Sequence, residues 1–228
     1  MRPPVFLQIL LFVTMLFMPV LLLAGAVVNV ANFSEGDLAD WEEKSFEGNS
    51  QYGFVDAQTA GIDSKDIKAG QQVLRASTQG QASGLFKEVN IDLTKTPYLN
   101  WFWQVQNLFK DNDEHSKDGD DYPARIYVVV SGGVFFWNTK AINYVWSSNQ
   151  SVGSEWPNAF TGNAKMLAVR AGEQQLGQWI TERRNVYEDL KKLFGKEVEK
   201  IDAIAVMVDG DNTGQAATAY FGDIFFSD

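Results

Sequence analysis

The sequence of 228 residues contains no cysteine and a single histidine, His115. Without cysteine the chain has no disulfides, thiolate nucleophiles, cysteine-ligated metal sites or lipobox lipid anchor. A single histidine excludes metal sites built from several histidines. His115 lies in a polar stretch, 111–118, that is typical of an exposed loop, and the chain has no G-x-S-x-G motif. The sequence therefore argues against a Ser-His-Asp hydrolase.

Positive charge is also scarce, because 19 Lys and Arg stand against 29 Asp and Glu, which gives a formal net charge of −10. Nucleic-acid binding requires a positively charged surface, so this balance argues against a nucleic-acid partner. Hydrophobic residues make up 45% of the chain and aromatic residues 13%. That supply is sufficient for the core of a folded domain and argues against global disorder.

Residues 1–26 have the pattern of a secretory signal peptide. Arg2 precedes an apolar run from Val5 to Leu23, and Ala24-Gly25-Ala26 supplies the small residues that a signal peptidase reads. We expect cleavage near Ala26 and a periplasmic or secreted protein that has no membrane contact after cleavage. The alternative is an uncleaved membrane anchor, because the apolar run is just long enough to span a bilayer.

Residues 27–228 are predicted to form a single all-β domain, a jelly-roll-like antiparallel β-sandwich. Short apolar or alternating segments follow one another, with turn residues near most of the gaps. In Tyr98–Gln106, Trp101 and Trp103 share one face with Leu99 and Val105. We expect the two tryptophans to fill the core between the sheets, although a ligand groove built from either face is the alternative. The segment Phe33–Trp41 is predicted to be an edge strand followed by a turn.

One short amphipathic helix is predicted near residues 186–194. Asn185 has the properties of an N-cap, and Glu188 three residues later completes a capping box. The apolar residues of the helix recur at helical spacing, and Gly195 follows at the position where helices commonly end.

Acidic residues cluster beside two of the predicted strands. Asp118, Asp120 and Asp121 precede the strand that begins near Arg125, and Asp209 and Asp211 follow another strand. Paired carboxylates could serve a glycosidase, and oxygen-rich loops could bind structural calcium, with Asp209 and Asp211 as ligands. The loop 209–220 lacks the final acidic residue of an EF-hand, so a tight turn is the alternative.

Charge compensation predicts where these acidic loops lie. A chain with this net charge cannot cluster five Asp without cost, so we expect both loops at the same end of the sandwich. Arg125 and either Arg183 or Arg184 are expected between them, because guanidinium groups neutralise carboxylates through bidentate contacts. If no arginine reaches the loops, a bound cation becomes the expected substitute.

Several strings in order resemble the exported bacterial family numbered 3047 among domains of unknown function. They include Asp118-Gly119-Asp120-Asp121 with Arg125-Ile126-Tyr127, Asn143-Tyr144-Val145-Trp146-Ser147, Glu182-Arg183-Arg184-Asn185 and Asp209-Gly210-Asp211-Asn212. The resemblance implies a periplasmic protein and carries no established activity. The closing segment, residues 220–226, is similar to the last strand of galactose-binding-like jelly rolls in carbohydrate-binding modules.

The leading functional prediction is a binding module for a saccharide or another neutral polar ligand. Seven Trp and seven Tyr supply rings on which sugars stack, while amides and carboxylates bind hydroxyl groups. The predicted stacking residues are Trp137, Tyr144, Trp146 and Trp156. The predicted polar residues are Asp120, Asp121, Arg125, Arg183, Arg184, Asp209, Asp211 and Asn212. The alternatives are a carboxylate-dependent enzyme acting on polysaccharide and a periplasmic structural or assembly partner. The sequence leaves the ligand and the oligomeric state open, and it implies no cofactor beyond structural calcium.

Overall fold

The computed structural model describes residues 25–65, 67–133 and 138–228. The predicted signal peptide falls almost entirely outside these residues, so its cleavage stays a prediction. The described chain forms two β-sheets packed face to face, with one α-helix at the side. The prediction of an all-β sandwich is therefore confirmed.

The first sheet has six strands in the order β11-β6-β13-β4-β3, and β1 also pairs with β13. Its strands are β1 (Val27–Ala31), β3 (Gln51–Asp56), β4 (Gln72–Gln79), β6 (Tyr98–Val105), β11 (Ile180–Asn185) and β13 (Ala216–Ser227). The second sheet has seven strands in the order β2-β5-β12-β7-β8-β10-β9. Its strands are β2 (Glu42–Glu47), β5 (Ala82–Asp92), β7 (Ala124–Val130), β8 (Lys140–Ser147), β9 (Glu155–Pro157), β10 (Ala164–Ala171) and β12 (Lys200–Asp209).

Two local expectations are wrong. Strands β8 and β10 pair in parallel, so the second sheet is mixed rather than wholly antiparallel. The connection through residues 148–163 is long enough to return the chain to the start of β8, as parallel pairing requires. The segment 33–41 contains a short 3₁₀ helix, Phe33–Glu35, instead of an edge strand. Its Phe33 ring is buried in the main core, which favours a local turn over an extended edge.

The main core lies between the sheets and is rich in aromatic rings. Trp101 and Trp103 are fully buried, as predicted from the alternation of β6. Their ring centroids are 5.5 Å apart in an edge-on arrangement, and Trp101 stacks on Tyr144 at 5.4 Å. Trp146 meets Trp103 edge-on at 5.8 Å. These edge-on and offset contacts are the arrangements that aromatic quadrupoles favour.

The predicted helix is confirmed as α1 (Val186–Phe194). The side chain of Asn185 accepts a hydrogen bond from the backbone N–H of Glu188, and Gly195 adopts a left-handed conformation that ends the helix. None of the described helices is long and apolar enough to cross a membrane.

The outer face of the seven-stranded sheet is partly covered by two connections, residues 106–123 and 148–163. Beneath them lies a small second core formed by Tyr122, Val145, Trp156, Met166 and Ala168. Val145, Met166 and Ala168 alternate with residues of the main core, so they must point to the opposite side of the sheet. The candidate site lies on this outer face over β2, β5, β12, β7 and β8, where it borders the connection 148–163.

Candidate functional site

Arg125 and Asp209 form a buried ion pair at one end of the seven-stranded sheet. Arg125 points outward from β7 and is 4% exposed, while Asp209 ends β12 and is 1% exposed. The Nε of Arg125 donates to Oδ1 of Asp209 at 2.8 Å, and Nη2 contacts the second carboxylate oxygen. Nη2 also donates to the backbone oxygen of Asp120 at 3.2 Å, and Nη1 lies 3.8 Å from its carboxylate. The two acidic loops therefore lie at the same end of the sandwich, with Arg125 between them, as predicted.

Arg183 and Arg184 do not take part in this cluster. The prediction that one of them lies between the acidic loops is therefore wrong. Both lie on β11, which pairs with β6 in the opposite sheet. Arg184 donates to the two carboxylate oxygens of Asp189 at 3.0 and 2.6 Å, and Arg183 is exposed above the ring of Tyr98. In the opposite sheet, Arg184 therefore neutralises Asp189, and Arg183 covers the ring of Tyr98.

The buried acidic residues of the two loops, Asp120, Asp121 and Asp209, accept hydrogen bonds from neighbouring groups. Asp121 accepts hydrogen bonds from the backbone N–H groups of Asn212 at 3.2 Å and Thr213 at 2.6 Å, and from the Asn212 side chain at 3.0 Å. Carboxylate oxygens of Asp121, Asp209 and Asp211 lie within 4.8 Å of one another. Arg125 pairs with Asp209 and amide groups bind Asp121, so the condition under which a substitute cation was expected, that no arginine reaches the loops, is not met. Structural calcium stays a prediction.

Burial changes the acidity of two of these carboxyl groups. Desolvation raises the pKa of Asp120, although the neighbouring Arg125 acts in the opposite direction. Desolvation also raises the pKa of Asp211, and the negative charge of Asp121 adds to the effect. The side chain of Asp120 is fixed by Asn158 at 2.7 Å and by the hydroxyl of Tyr122 at 3.2 Å.

A cleft of about 400 Å³ opens beside the ion pair. Phe46 and Phe160 line the cleft, and these residues are 61% and 57% exposed. Phe46 lies on β2, at one edge of the sheet, and Phe160 lies in the connection between β9 and β10, at the other edge. Singly exposed apolar side chains are ordinary on a protein surface, so the informative feature is that these two rings border one cleft together with buried polar groups. The cleft is lined also by Arg125, Tyr127, Asn143, Asn158, Met207 and Asp211.

Asn143 is the most informative polar residue of the cleft. It points outward from β8 and is 1% exposed, yet its side-chain oxygen accepts no hydrogen bond from the described residues. A buried polar group without a partner is costly, and in native proteins it often marks a place for water or a ligand. The hydroxyl of the nearby Tyr127 donates to the sulfur of Met207 at 3.6 Å, and a thioether sulfur is a weak acceptor.

Three of the four predicted stacking residues are buried and not open to a ligand. Tyr144 and Trp146 lie on β8 and are fully buried between the sheets, so their predicted stacking role is wrong. Trp156 is 4% exposed in the second core, and its Nε1 donates to the backbone oxygen of Glu114 at 3.1 Å. Trp137 lies outside the described residues. His115 is exposed, as predicted, with its ring 5.3 Å from that of Trp156.

Sequence reasoning missed the aromatic residues that do line the cleft. Phe46 stands in a charged segment and Phe160 in a turn-rich one, so neither belongs to an apolar pattern. An isolated aromatic residue among polar neighbours was the available signal for both.

Comparisons with solved structures find distant similarities. A family 30 carbohydrate-binding module of a Clostridium thermocellum cellulosomal cellulase is 9% identical with a TM-score of 0.49, covering 88% of this chain and 96% of that one. A family 11 module from the same organism, in complex with a mixed-linked tetrasaccharide, is 11% identical with a TM-score of 0.44, covering 89% and 95%. The K1 cleaved adhesin domain of Lys-gingipain from Porphyromonas gingivalis is 11% identical with a TM-score of 0.42, covering 89% and 98%. At these values the similarities carry no information on the ligand.

No match was found among curated proteins. A family model does match residues 39–225, which include both acidic loops, Arg125 and every residue that lines the cleft. The chain belongs to the protein family of unknown function DUF3047.

Proposed function

We propose that this protein binds a saccharide or another neutral, hydroxyl-rich ligand in the cleft beside Arg125. The observation that carries the proposal is the combination of two exposed rings, Phe46 and Phe160, with the buried amide of Asn143, whose oxygen accepts no hydrogen bond from the described residues. Sugars have apolar C–H faces that pack on aromatic rings and hydroxyl groups that donate to amide oxygens. The cleft offers both kinds of contact.

The charge of the cleft favours a neutral ligand over an anionic one. Among its lining residues, Glu47, Asp120, Asp209 and Asp211 outnumber one cation, Arg125, which is engaged with Asp209. Lys117 also lies nearby, with its Nζ 5.4 Å from the Phe160 ring centroid. An anionic sugar would enter a net negative site without an available guanidinium group, which costs free energy.

Asp120 and Asp209 are better suited to holding the site together than to catalysis. Asp209 pairs with Arg125, and Asp120 accepts from Asn158 and Tyr122. A general acid or base needs a carboxyl group that is free to exchange a proton with the substrate. The proposal is therefore a binding module, and cleavage of polysaccharide is the competing function that activity assays would reveal.

The proposal includes export from the cytoplasm. Its support is the N-terminal sequence alone, in which Arg2, an apolar run and Ala24-Gly25-Ala26 have the order of a signal peptide. Detection of the chain with residue 27 at its N-terminus in a periplasmic or extracellular fraction would test this part.

The test of the cleft uses an array of neutral and anionic bacterial and plant glycans, followed by titration calorimetry. We expect neutral glycans to bind, and we expect Phe160→Ala and Asn143→Ala each to weaken binding about tenfold, because each removes a contact of about 1 kcal/mol or more. Val152→Ala is the matched control, since Val152 is 63% exposed and does not line the cleft.

Three outcomes would contradict the proposal. These are the absence of binding to any neutral glycan, preferential binding of anionic glycans, and a loss of affinity in Val152→Ala as large as that in Phe160→Ala. Release of reducing sugar from a bound glycan would instead favour the enzymatic alternative.

A further inference from the structure

A second cleft of about 720 Å³ opens on the same outer face of the seven-stranded sheet. It lies over the opposite ends of the same strands, because it is lined by the start of β2, the far end of β5, the start of β12 and the end of β7. Its lining includes Glu42, Lys44, Phe86, Asn90, Thr139 and Ala203. The two clefts are therefore successive along β12.

An aromatic pair joins the two clefts. Phe86 of β5 lines the second cleft and Tyr127 of β7 lines the first. Both residues pair with Ala205 of β12, and their ring centroids are 6.1 Å apart. Each ring is half-buried, so part of it remains open to solvent.

Around these rings, several outward positions of β12 and β5 carry small side chains, which do not project far from the sheet. On β12, the outward positions between Met207 and Asp202 are Ala205 and Ala203. On β5, the small outward residues are Ala82 and Gly84, which pair with Asp209 and Met207, while Phe86 and Glu88 pair with Ala205 and Ala203. A Cβ atom at Gly84 would lie 2.8 Å from the Phe86 ring, so a side chain there would displace the ring. From Asp209 to Ala203 the path is six residues, or about 20 Å at the rise of a β-strand.

We infer that the two clefts form one groove that binds a linear, neutral oligosaccharide or polysaccharide chain running along β12, with Phe46, Phe86, Tyr127 and Phe160 as its stacking rings. The inference rests on the proposed function of the first cleft and extends it from a small ligand to a chain. The second cleft supports a neutral chain, because Asp40, Glu42, Glu88 and Asp202 outnumber Lys44 and Lys87 in its lining. The side-chain oxygen of Asn143, which accepts no hydrogen bond from the part of the chain that the structure describes, supplies the polar contact at one end of the path.

The test compares the disaccharide and the hexasaccharide of each of four neutral series by calorimetry: β-1,4-glucan, α-1,4-glucan, β-1,4-galactan and β-1,4-mannan. We expect the hexasaccharide of the recognised series to bind at least about tenfold more tightly than its disaccharide. The double variant Lys44→Ala/Asn90→Ala, confined to the second cleft, should weaken hexasaccharide binding about fivefold and leave disaccharide binding within about twofold. Lys200→Ala is the control, because this exposed residue lies at the start of β12 and does not line either cleft.

The outcomes separate this inference from the proposed function. Equal affinity for the disaccharide and the hexasaccharide, or a double variant that binds the hexasaccharide normally, overturns the groove while the single-cleft proposal stands. Failure of all four series, with failure on the glycan array, overturns both. Weakening of the disaccharide and the hexasaccharide to the same extent would show that Lys44 and Asn90 act on the first cleft, which also contradicts the inference.

Discussion

Arg125 is the residue on which the acidic end of the sandwich depends. It is buried, it holds Asp209 and Asp120 at once, and its guanidinium carbon lies 4.8 Å from the Tyr122 ring centroid. Burial opposes its charge, but neighbouring Tyr127 and Asp120 outweigh burial and raise the pKa of Arg125. Because the Arg125–Asp209 pair is buried, it differs from a surface salt bridge, which contributes about 0–1 kcal/mol to stability.

We expect Arg125→Ala to lower the free energy of unfolding by about 3–5 kcal/mol, because the charge of Asp209 would remain buried without its partner. Chemical denaturation measures this difference. The control is Arg183→Ala, at an exposed arginine, which should cost no more than about 1 kcal/mol. A loss below about 1 kcal/mol for Arg125→Ala would show that the pair is open to water and would contradict the assignment.

At the scale of elements, the capping box predicted for α1 from Asn185 and Glu188 forms only in part. The N-cap bond of Asn185 is present, but the return bond from the Glu188 side chain is not among the hydrogen bonds of the described residues. Asn185 is also the last residue of β11 and pairs with Tyr98, so its backbone already belongs to a sheet. Only half of the capping box forms because the helix follows a strand without an intervening loop.

The N-cap gives the second stability prediction. Asn185→Ala removes the acceptor for the Glu188 N–H and should lower the free energy of unfolding by about 1 kcal/mol, whereas Asn185→Asp retains an acceptor and should cost little. Urea denaturation of the two variants distinguishes a cap from a general role of the side chain. Equal destabilisation by Ala and Asp would contradict the capping role.

Elements with a periodic pattern could be predicted from the sequence, and elements without one could not. The alternation of β6 and the apolar stripe of α1 placed Trp101, Trp103 and the helix correctly. Strand β2 was missed because all six of its residues are exposed, so no apolar face marks it. The polar segment 111–118 packs on the sheet because its buried side chains find local partners. Asn112, for example, donates to the backbone oxygens of Gly119 and Asp121.

At the scale of the whole molecule, the candidate site depends on strand order, which no local pattern encodes. Phe46, Phe86 and Tyr127 are far apart in the sequence and meet because β2, β5, β12 and β7 are neighbours in one sheet. The wrong prediction that Tyr144 and Trp146 stack on a ligand arose for the same reason, because local sequence does not show which face of a strand meets the core. Tyr144 and Trp146 stand near turn residues in the sequence, but their side of β8 faces the main core, which removes them from any ligand.

The stability of the whole molecule is expected to depend on a buried carboxyl group in the loop between β6 and β7. Glu114 is fully buried and accepts hydrogen bonds from the Ser147 hydroxyl and from the backbone N–H of Ser148 at 2.7 Å. Desolvation raises the pKa of Glu114 from 4.5 to about 6, although these hydrogen bonds oppose the shift. Because the folded state holds this proton more tightly than the unfolded state, the contribution to stability is largest at acidic pH. It is lost as the pH rises through about 6.

Glu114→Gln should abolish that part of the pH dependence. A shift of this size corresponds to about 2 kcal/mol, so the free energy of unfolding of the variant, relative to the unmodified protein, should rise by about 2 kcal/mol between about pH 4.5 and pH 7. Glutamine retains an oxygen that accepts from the Ser148 N–H, but its NH2 group cannot accept from the Ser147 hydroxyl, so the variant loses that hydrogen bond at every pH. This loss does not vary with pH and leaves the predicted change between about pH 4.5 and pH 7 unaltered. Taking the difference between the two proteins at each pH removes the contributions of the other acidic groups, which both share. Urea denaturation at a series of pH values measures it, and parallel profiles for the two proteins would show that Glu114 does not titrate in this range.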